Sequence, residues 1–365
     1  MTEHDRYMER CLALARLGEG AVAPNPMVGA VLVQDGRIIG EGYHAQYGGP
    51  HAEVHCFDSV RPEHRALIPE STLYVSLEPC AHFGKTPPCA DRILREGVRS
   101  VVVGCRDPFP QVNGKGIEKL EAAGITVKTG VQEAACLSLN RRFFLFHTKH
   151  RPYIVLKWAR SADHRMAGAG TARVMISRPQ ANRIVHRWRA QEMSILVGTN
   201  TALYDNPELT VRHWPGRQPI RLVIDRNRRL PPSLKLFSGE APTIFFTNEV
   251  HTIEDLKAVP QRDFSAAFYQ ITGSEDLVPQ VVHALYQMGI QSVLVEGGAR
   301  LLQSFIDADL WDEARVITNE SLHLGAGLPA PELTAARLVR TLEHGGDSIR
   351  YFVPSSTAGD PIFFE

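Results

Sequence analysis

The chain has 365 residues, enough for two domains with sizeable cores, and its hydrophobic content of 44% and charged content of 22% are ordinary for a globular protein. Lysine plus arginine and aspartate plus glutamate both total 40, so the formal net charge is zero, which argues against a nucleic-acid binder. The N-terminus is too polar for a signal peptide, and no apolar run is long enough to cross a membrane. Six cysteines in a chain of this length do not indicate a disulfide framework. We therefore expect a cytoplasmic protein.

Helices and strands alternate in the predicted first half, which indicates an α/β layer. The predicted elements are a helix at 7–17, strands at 30–33 and 37–42 joined by an Asp35-Gly36 turn, a helix after Pro50, a strand at 72–77, a helix at 90–97, a strand at 98–103 and a helix at 117–123. The helix after Pro50 places His51 at or near its N-terminus, and the strand at 72–77 delivers Cys80 at its C-terminal end.

The residues with the clearest chemistry are His51, Glu53, Cys80 and Cys89. One imidazole and two thiols are three ligands of the kinds that a catalytic zinc site uses. His-x-Glu followed by Pro-Cys and a second cysteine is the arrangement of zinc-dependent deaminases, with Glu53 as the proton carrier. Eight residues separate the two cysteines here, against two in the usual pattern. Cys89 opens a predicted helix, whose dipole is expected to lower the pKa of its thiol.

These residues also allow other interpretations. Free cysteines are usually small buried hydrophobes, and a single His-x-Glu is common by chance. His51 and His55 are four residues apart, as in H-E-x-x-H metalloproteases, but Ala52 stands where that motif needs glutamate. The combined pattern favours the zinc site.

Several polar residues near this motif are candidates for binding substrate. Asn25 lies between two prolines just before a strand, where it can present an amide to a ring or simply form a turn. His44 follows the second strand and can donate to substrate or lie in a surface loop. Lys85 lies in the long cysteine loop and suits a phosphate or ribose, although a solvated loop is an equal alternative.

The second half is predicted to be α/β again, after a polar and aromatic connector at 140–151. We place the domain boundary between residues 147 and 148. The predicted strands are 152–157, 194–197, 220–224, 243–246, 292–295 and 313–317, with helices at 179–189 and 279–288.

Three clusters in this half can carry chemistry. The first is a strand and glycine turn at 197–201, and the second, at 205–212, joins Asp205 in a turn to Arg212. The third, at 295–301, is a buried strand that ends in Glu296, followed by two glycines that open a helix. Glycines let a backbone approach a ligand, and a helix N-terminus offers N–H groups to an anion, which suits a nucleotide. Each cluster alone is equally consistent with turn-and-cap chemistry.

The motifs together resemble the bifunctional deaminase/reductase family of riboflavin biosynthesis. The first half carries P-N-P-x-V-G, His51-Ala52-Glu53 and P-C-x-H-x-G-x-T-P-P-C. The second carries L-K-x-A-x-S-x-D from Leu156, V-G-x-x-T-x-x-x-D-x-P-x-L-T-x-R from Val197 and V-E-G-G from Val295. The resemblance implies a cytidine-deaminase-like three-layer domain at 1–147 and a dihydrofolate-reductase-like domain at 148–365.

That resemblance also implies the activity and the roles of particular residues. It implies zinc-dependent deamination of a small phosphorylated pyrimidine, and then NADPH-dependent reduction of its ribosyl chain. In the second half it implies Lys157 as a catalytic residue. The residues implied to face substrate are Asp205, Leu209, Arg212 and Glu296; those implied to lie along the cofactor are Ala159, Thr201, Asp205, Gly297 and Gly298.

One segment departs from the family pattern. Relatives carry S-G-x-S-x-W where this chain has Gly170 to Met175, so Arg173 replaces a serine and Met175 a tryptophan. Arg173 can compensate by binding substrate phosphate, and Met175 then takes the cofactor-binding position. The departure leaves open an alternative in which the second half only binds substrate or assembles oligomers. We expect a homo-oligomer, and a nucleic-acid deaminase is disfavoured by the neutral charge.

Overall fold

A computed structural model describes residues 2–83, 87–109, 112–170, 174–261 and 264–357. The chain forms two compact units, of which the first runs to Lys149 and the second begins at His150. Among the described residues, no helix has the length and apolar character needed to cross a membrane.

The first unit contains a five-stranded sheet with helices on both faces. Its helices are α1 (Glu3–Ala15), α2 (Ala52–Asp58), α3 (Cys89–Glu96), α4 (Lys115–Ala122), α5 (Glu133–Leu139) and α6 (Arg141–Lys149), with 3-10 turns at Arg16–Gly18 and Pro62–Glu70. Its strands are β1 (Gly29–Gln34), β2 (Arg37–Tyr43), β3 (Thr72–Leu77), β4 (Ser100–Cys105) and β5 (Thr126–Thr129). The strand order is β2-β1-β3-β4-β5, with β1 antiparallel to both neighbours and β3, β4 and β5 parallel.

Alternating side chains of these strands fill two separate cores, because successive residues of a strand point to opposite faces. Leu32 and Val75 pack with α2, α3 and α4, whereas Val31 and Tyr74 pack with α1 and α5. This confirms the predicted three-layer domain. The parallel strands β3 and β4 end at the same edge of the sheet, and that edge carries Cys80.

The second unit is built on a nine-stranded sheet within the described residues. Its helices are α7 (Pro179–Gln191), α8 (Thr199–Asp205), α9 (Leu277–Gln287) and α10 (Ala299–Asp307), with 3-10 turns at Lys235–Phe237 and Leu256–Gln261. Its strands are β6 (Tyr153–Ser161), β7 (Arg165–Gly168), β8 (Ser194–Val197), β9 (Ile220–Ile224), β10 (Thr243–Thr247), β11 (Ala267–Gln270), β12 (Ser292–Val295), β13 (Glu313–Asn319), β14 (Gly327–Pro329), β15 (Ala336–His344) and β16 (Asp347–Pro354).

The order in this sheet is β11-β10-β9-β8-β12-β6-β13-β16-β15, and β7 pairs separately with β14. All strands from β11 to β13 are parallel, and β16 and β15 close the other side as antiparallel strands. Open parallel sheets bind ligands at the carboxyl ends of their strands. We therefore expect the second site at the carboxyl edge of β6, β12, β8 and β9.

Two predictions about elements are wrong. The expected connector at 140–151 forms helix α6, because Phe143 and Phe146 lie three apart and bury one face of it. Asp205 was expected in a turn but is the last residue of α8, which ends where Asn206 adopts a left-handed φ of 40°.

Candidate active sites

The structure brings the three predicted zinc ligands of the first unit together. His51 is the N-cap of α2, Cys80 follows β3, and Cys89 is the first residue of α3. Their ligand atoms all lie within 4.8 Å of one another, with His51 Nδ1 3.2 Å from Cys89 Sγ and 3.6 Å from Cys80 Sγ. One nitrogen and two sulfurs in mutual reach fit Zn²⁺, and three protein ligands is the number that a catalytic zinc site uses.

The two thiols of this site differ in acidity. A hydrogen bond with Cys89, and then one with His51, lowers the pKa of Cys80 to about 4. The same thiol pair raises the pKa of Cys89, because a second negative charge beside Cys80 is unfavourable and the site is buried. The expectation that the dipole of α3 lowers the pKa of the Cys89 thiol is therefore wrong. The neighbouring sulfur outweighs the α3 dipole, and the Cys89 N–H donates to Cys80 Sγ at 3.3 Å.

Glu53 lies in the first turn of α2 and is only 3% exposed. Burial raises the pKa of its carboxyl, and the charges of His51 and Cys80 also act on it, the first lowering and the second raising that pKa. A buried carboxyl beside the ligand cluster can hold a proton and pass it on, as a general acid and base must.

His44 and Asn25 form a chain of hydrogen bonds beside this cluster. His44 is 2% exposed, and its ring centroid lies 5.4 Å from that of His51. Its Nδ1 lies 2.9 Å from the carbonyl oxygen of Pro50, which can only accept, so Nδ1 carries the proton. Its Nε2 therefore accepts from Asn25 Nδ2 at 3.1 Å. Both nitrogens of His44 are thus engaged within the protein, and the Asn25 amide is held with its oxygen as the remaining acceptor.

Glu78 and Gly116 are residues of this site that the sequence analysis missed. The Glu78 carboxylate accepts N–H groups of Asp107 at 3.2 Å, Gly114 at 2.9 Å and Gly116 at 2.9 Å. A Cβ at Gly116 would lie 1.9 Å from the carbonyl oxygen of Pro79, so only glycine fits against the residue that precedes Cys80. An acid directly before Pro-Cys, together with a later glycine-rich loop, was the available signal. Lys85, which was expected to bind substrate, lies outside the described residues.

The centre of the second site is a buried cluster of three charged residues. Arg189, on α7, donates to both oxygens of Glu296 at 2.8 Å, and Lys157 Nζ lies 3.8 Å from Glu296 Oε2. The Glu296 side chain is 6% exposed. The adjacent Arg189 and Lys157 outweigh the cost of burial and lower the pKa of Glu296 to about 2. Burial lowers the pKa of Lys157. Arg189 was not predicted from the sequence, because no motif near it in the chain indicates a functional residue.

The predicted cofactor glycines lie beside this cluster. Gly297 and Gly298 are joined by a cis peptide bond and lead into α10. The Gly297 carbonyl accepts from Gly198 N at 2.9 Å, and a Cβ at Gly298 would lie 3.1 Å from Thr201 Oγ1. The ends of β8 and β12 therefore meet with little side-chain bulk between them, and a ligand backbone can approach closely.

The remaining predicted residues of the second site are more dispersed. Arg212 forms an ion pair with Glu208, donates to Thr210 Oγ1 at 2.8 Å and gives its backbone N–H to His186 Nδ1 at 3.1 Å. Leu209 has a left-handed φ of 56°. Asp205 ends α8, Ala159 lies two residues after Lys157 on β6 and is half-buried, and Met175 is 61% exposed. Arg173 lies outside the described residues.

Comparisons with known proteins agree with this geometry. Residues 1–105 match the cytidine and deoxycytidylate deaminase zinc-binding region, and residues 152–342 match the RibD C-terminal domain. The chain is 38% identical to riboflavin biosynthesis protein RibD of Aquifex aeolicus, over 92% of each chain. It is 38% identical to the Escherichia coli protein of that name, over 85% of this chain and 86% of the other.

Solved structures give the same result. A RibD structure from Acinetobacter baumannii covers 96% of this chain and 99% of its own, with a TM-score of 0.85 and 30% identity. A diaminohydroxyphosphoribosylaminopyrimidine deaminase/5-amino-6-(5-phosphoribosylamino)uracil reductase from Thermotoga maritima has a TM-score of 0.83 and is 35% identical. The match covers 96% of this chain and 99% of that chain. Because these matches extend across the second half of the chain, they favour a bifunctional enzyme over the alternative in which the second half only binds substrate or assembles oligomers. With zinc and NADPH as its cofactors, the chain belongs to the RibD family of bifunctional deaminases and reductases of riboflavin biosynthesis.

Proposed function

We propose that residues 1–147 deaminate a diaminopyrimidine ribosylamine 5′-phosphate and that residues 148–365 reduce the ribosyl chain of the product to ribityl. The observation that carries the first step is the convergence of His51, Cys80 and Cys89 beside the buried Glu53. Relatives whose names give these two reactions, such as the Thermotoga maritima enzyme, support the choice of substrate.

In the deamination, His51, Cys80 and Cys89 would hold the zinc ion, and the ion would supply a Lewis acid that acidifies a water molecule. Glu53 accepts a proton from that water and transfers it to the amino group, which leaves as ammonia while the water oxygen stays on the ring carbon. His44 holds the Asn25 amide, whose oxygen accepts a hydrogen bond from an N–H of the pyrimidine. We propose that Lys85 binds the sugar phosphate.

In the reduction, bound NADPH would supply the hydride for the sugar carbon that becomes part of the ribityl chain. Lys157 donates a hydrogen bond and then a proton to the sugar oxygen. Glu296 holds Lys157 and Arg189 in place through the ion pairs described above. We propose Arg173 and Arg212 for the substrate phosphate, because guanidinium groups pair with phosphate in a fork geometry. Asp205 and Leu209 complete the substrate side, while Ala159, Met175, Thr201, Gly297 and Gly298 line the cofactor.

We further propose a cytoplasmic homo-oligomer that acts on a small molecule and binds neither nucleic acid nor membranes. The six cysteines are all free thiols, which suits a reducing compartment.

The two activities can be tested on one preparation. Purified protein is assayed for zinc content, for ammonia release from the diaminopyrimidine, and for NADPH oxidation with the deaminated intermediate. We expect one zinc per chain and both turnovers. Lys157→Met should abolish NADPH oxidation and leave ammonia release unchanged. A chain without zinc, or zinc coordination that excludes His51, would contradict the first half of the proposal; ammonia release without NADPH oxidation would contradict the second.

A further inference from the structure

The segment at 24–29 brings Asn25 to the first site, and only its last residue belongs to the sheet. The prolines on either side of Asn25 have no N–H group, and the N–H of Asn25 itself donates to the Val22 carbonyl at 2.9 Å. Strand β1 begins at Gly29, two residues after Met27. The backbone groups of Met27 therefore need hydrogen-bond partners from outside the sheet.

Strand β3 does not supply these partners, because it ends in order to lead the chain to the metal site. The two strands are antiparallel, with Ala30 of β1 opposite Val75 of β3. Continuing that register would place Met27 opposite Glu78, but β3 has ended by then. The N–H of Glu78 donates instead to the Cys105 carbonyl at 3.0 Å. The place beside Met27 is thus left for another group.

The side chain of Asn140 takes that place. Its Oδ1 accepts the Met27 N–H at 2.8 Å, and its Nδ2 donates to the Met27 carbonyl at 2.9 Å. A backbone N–H can only donate and a carbonyl can only accept, so these partners fix the orientation of the amide. Asn140 is 3% exposed. One buried side-chain amide therefore pairs with Met27 as the backbone of a neighbouring strand would.

Two helices hold Asn140 in position. It is the C-cap of α5, and its N–H donates to the Cys136 carbonyl at 3.4 Å. Its carbonyl accepts the N–H of Phe144, in α6, at 2.9 Å. Cys136 and Leu139 of α5 are buried in the same core as Val31 of β1. The amide that contacts Met27 is thus presented by a packed and rigid part of the fold.

The restraint on Met27 reaches Asn25 through one proline. The ring of that proline fixes its own φ, so holding the Met27 peptide also restrains the position of the Asn25 backbone. The Asn25 amide is oriented separately by His44, whose own N–H donates to the Val28 carbonyl at 2.9 Å. Both restraints are needed, because His44 alone would orient an amide whose backbone could shift.

We propose that Asn140 is a positioning residue for the deamination, which acts through Met27 to hold Asn25 against the pyrimidine. This inference rests on the proposed deamination and on the role proposed there for Asn25. It makes the junction of α5 and α6 necessary for the first reaction, although that junction lies beyond residues 1–105, the part that matches the zinc-binding region.

The test measures ammonia release by the full-length protein. Asn140→Ala leaves room for water at Met27 and should lower kcat/KM for the diaminopyrimidine by about 10–100-fold, because a small displacement of a binding group has effects of this size. Zinc content and NADPH oxidation should remain normal. Asn319→Ala is the matched control, since Asn319 is also buried and donates to a backbone carbonyl, that of Ile176, but in the second unit. It should leave ammonia release unchanged.

A double-mutant cycle separates positioning from a general loss of stability. Asn25→Ala alone should also lower kcat/KM, and adding Asn140→Ala should lower it by less than about twofold more, since both changes remove the same contact with substrate. Hydrogen exchange gives a readout that does not depend on activity. In Asn140→Ala the amides of residues 22–28 should exchange about fivefold faster, while those of β4 stay unchanged.

The outcomes distinguish the inference from the function on which it rests. Wild-type kcat/KM in Asn140→Ala, or additive losses in the cycle, would overturn the inference alone. If Asn140→Ala does not fold or loses zinc, Asn140→Ser replaces it with the same expected results, because its hydroxyl keeps a polar group near Met27. An unchanged kcat/KM in Asn25→Ala would overturn the role of Asn25 and the inference together. A wild-type protein that releases no ammonia would overturn the deamination itself.

Discussion

The two sites are assembled in different ways. The zinc site takes its donors from two short motifs, at 51–53 and 80–89, and brings together two thiols that resist losing both of their protons unless a metal is bound. The reductase site joins Lys157, Arg189 and Glu296 from three distant parts of the chain, and their ion pairs hold them without any ligand. The first site therefore needs its metal to be complete, whereas the second is preorganised by the fold.

The largest effect expected from this difference is at Glu53. Glu53→Gln should lower the rate of ammonia release by about 10²–10⁴-fold, because the amide cannot carry the proton, while zinc content and NADPH oxidation remain normal. Metal analysis and both assays on the same sample provide the check. Glu121→Gln, at an exposed position of α4, should have no effect. Wild-type deamination by Glu53→Gln would show that another group carries the proton.

Removing Arg189 should destabilise the second unit. Arg189→Met leaves the buried Glu296 with only the longer Lys157 contact, which we expect to lower the free energy of unfolding by about 3 kcal/mol. Urea denaturation followed by tryptophan fluorescence measures the change. Arg183→Met, at an exposed arginine of the same helix, should cost far less. Adding Glu296→Gln should recover part of the loss; if it does not, the ion pair is not the cause.

The pH dependence of stability should reveal His186. Burial, followed by the charges of Arg189, Arg212 and His213, lowers the pKa of His186 to about 4 in the folded protein, from 6.5. A lowered pKa means that the folded state binds fewer protons than the unfolded state. The stabilisation is therefore present above pH 6.5 and is lost as the pH falls toward 4, by about 1–3 kcal/mol.

A variant isolates this contribution from those of other groups. His186→Gln has no titrating ring but can still accept the N–H of Arg212, so its stability should fall less between pH 6.5 and 4. Chemical denaturation at a series of pH values gives the two curves. Parallel curves would mean that His186 does not titrate in this range.

The smallest effect expected is at His164, in the turn between β6 and β7. Its φ of 60° lies in the left-handed region, which favours glycine. His164→Gly should raise the thermal midpoint slightly, by the equivalent of about 0.5–1 kcal/mol. His323→Gly, at an exposed histidine of ordinary φ, should lower it. A similar loss for both variants would show that the turn carries no strain.

The difference between the zinc site, built from short motifs, and the reductase site, built from distant residues, also explains how much could be predicted from the sequence. The zinc ligands were found because histidine, cysteine and proline stand at informative spacings. Strands such as β3, β8 and β9 were found because each is a short and mostly apolar segment. The position of His51 at the start of α2 followed from the glycines and proline before it.

Arg189 and Glu78 could not be predicted, because their partners are set by topology rather than by spacing. Nothing near Arg189 in sequence indicates that α7 packs where β12 ends, and Glu78 acts through backbone N–H groups that carry no sequence signal. Helix α6 was missed because its arginines and histidine hid an apolar face formed by two phenylalanines. The acidity of Cys80 relative to Cys89 likewise depends on a contact between the thiols that only the folded chain makes.

The close contact between Gly116 and the Pro79 carbonyl has a consequence for biosynthesis. The loop that bears Cys80 obtains its final shape only when the start of α4 packs against it, and α4 leaves the ribosome more than two dozen residues after Cys89. Both sulfurs therefore emerge before their surroundings are finished. We therefore expect the three ligands to reach their final arrangement only after α4 has packed against this loop, so the metal site is completed after residues 115–122 have been made.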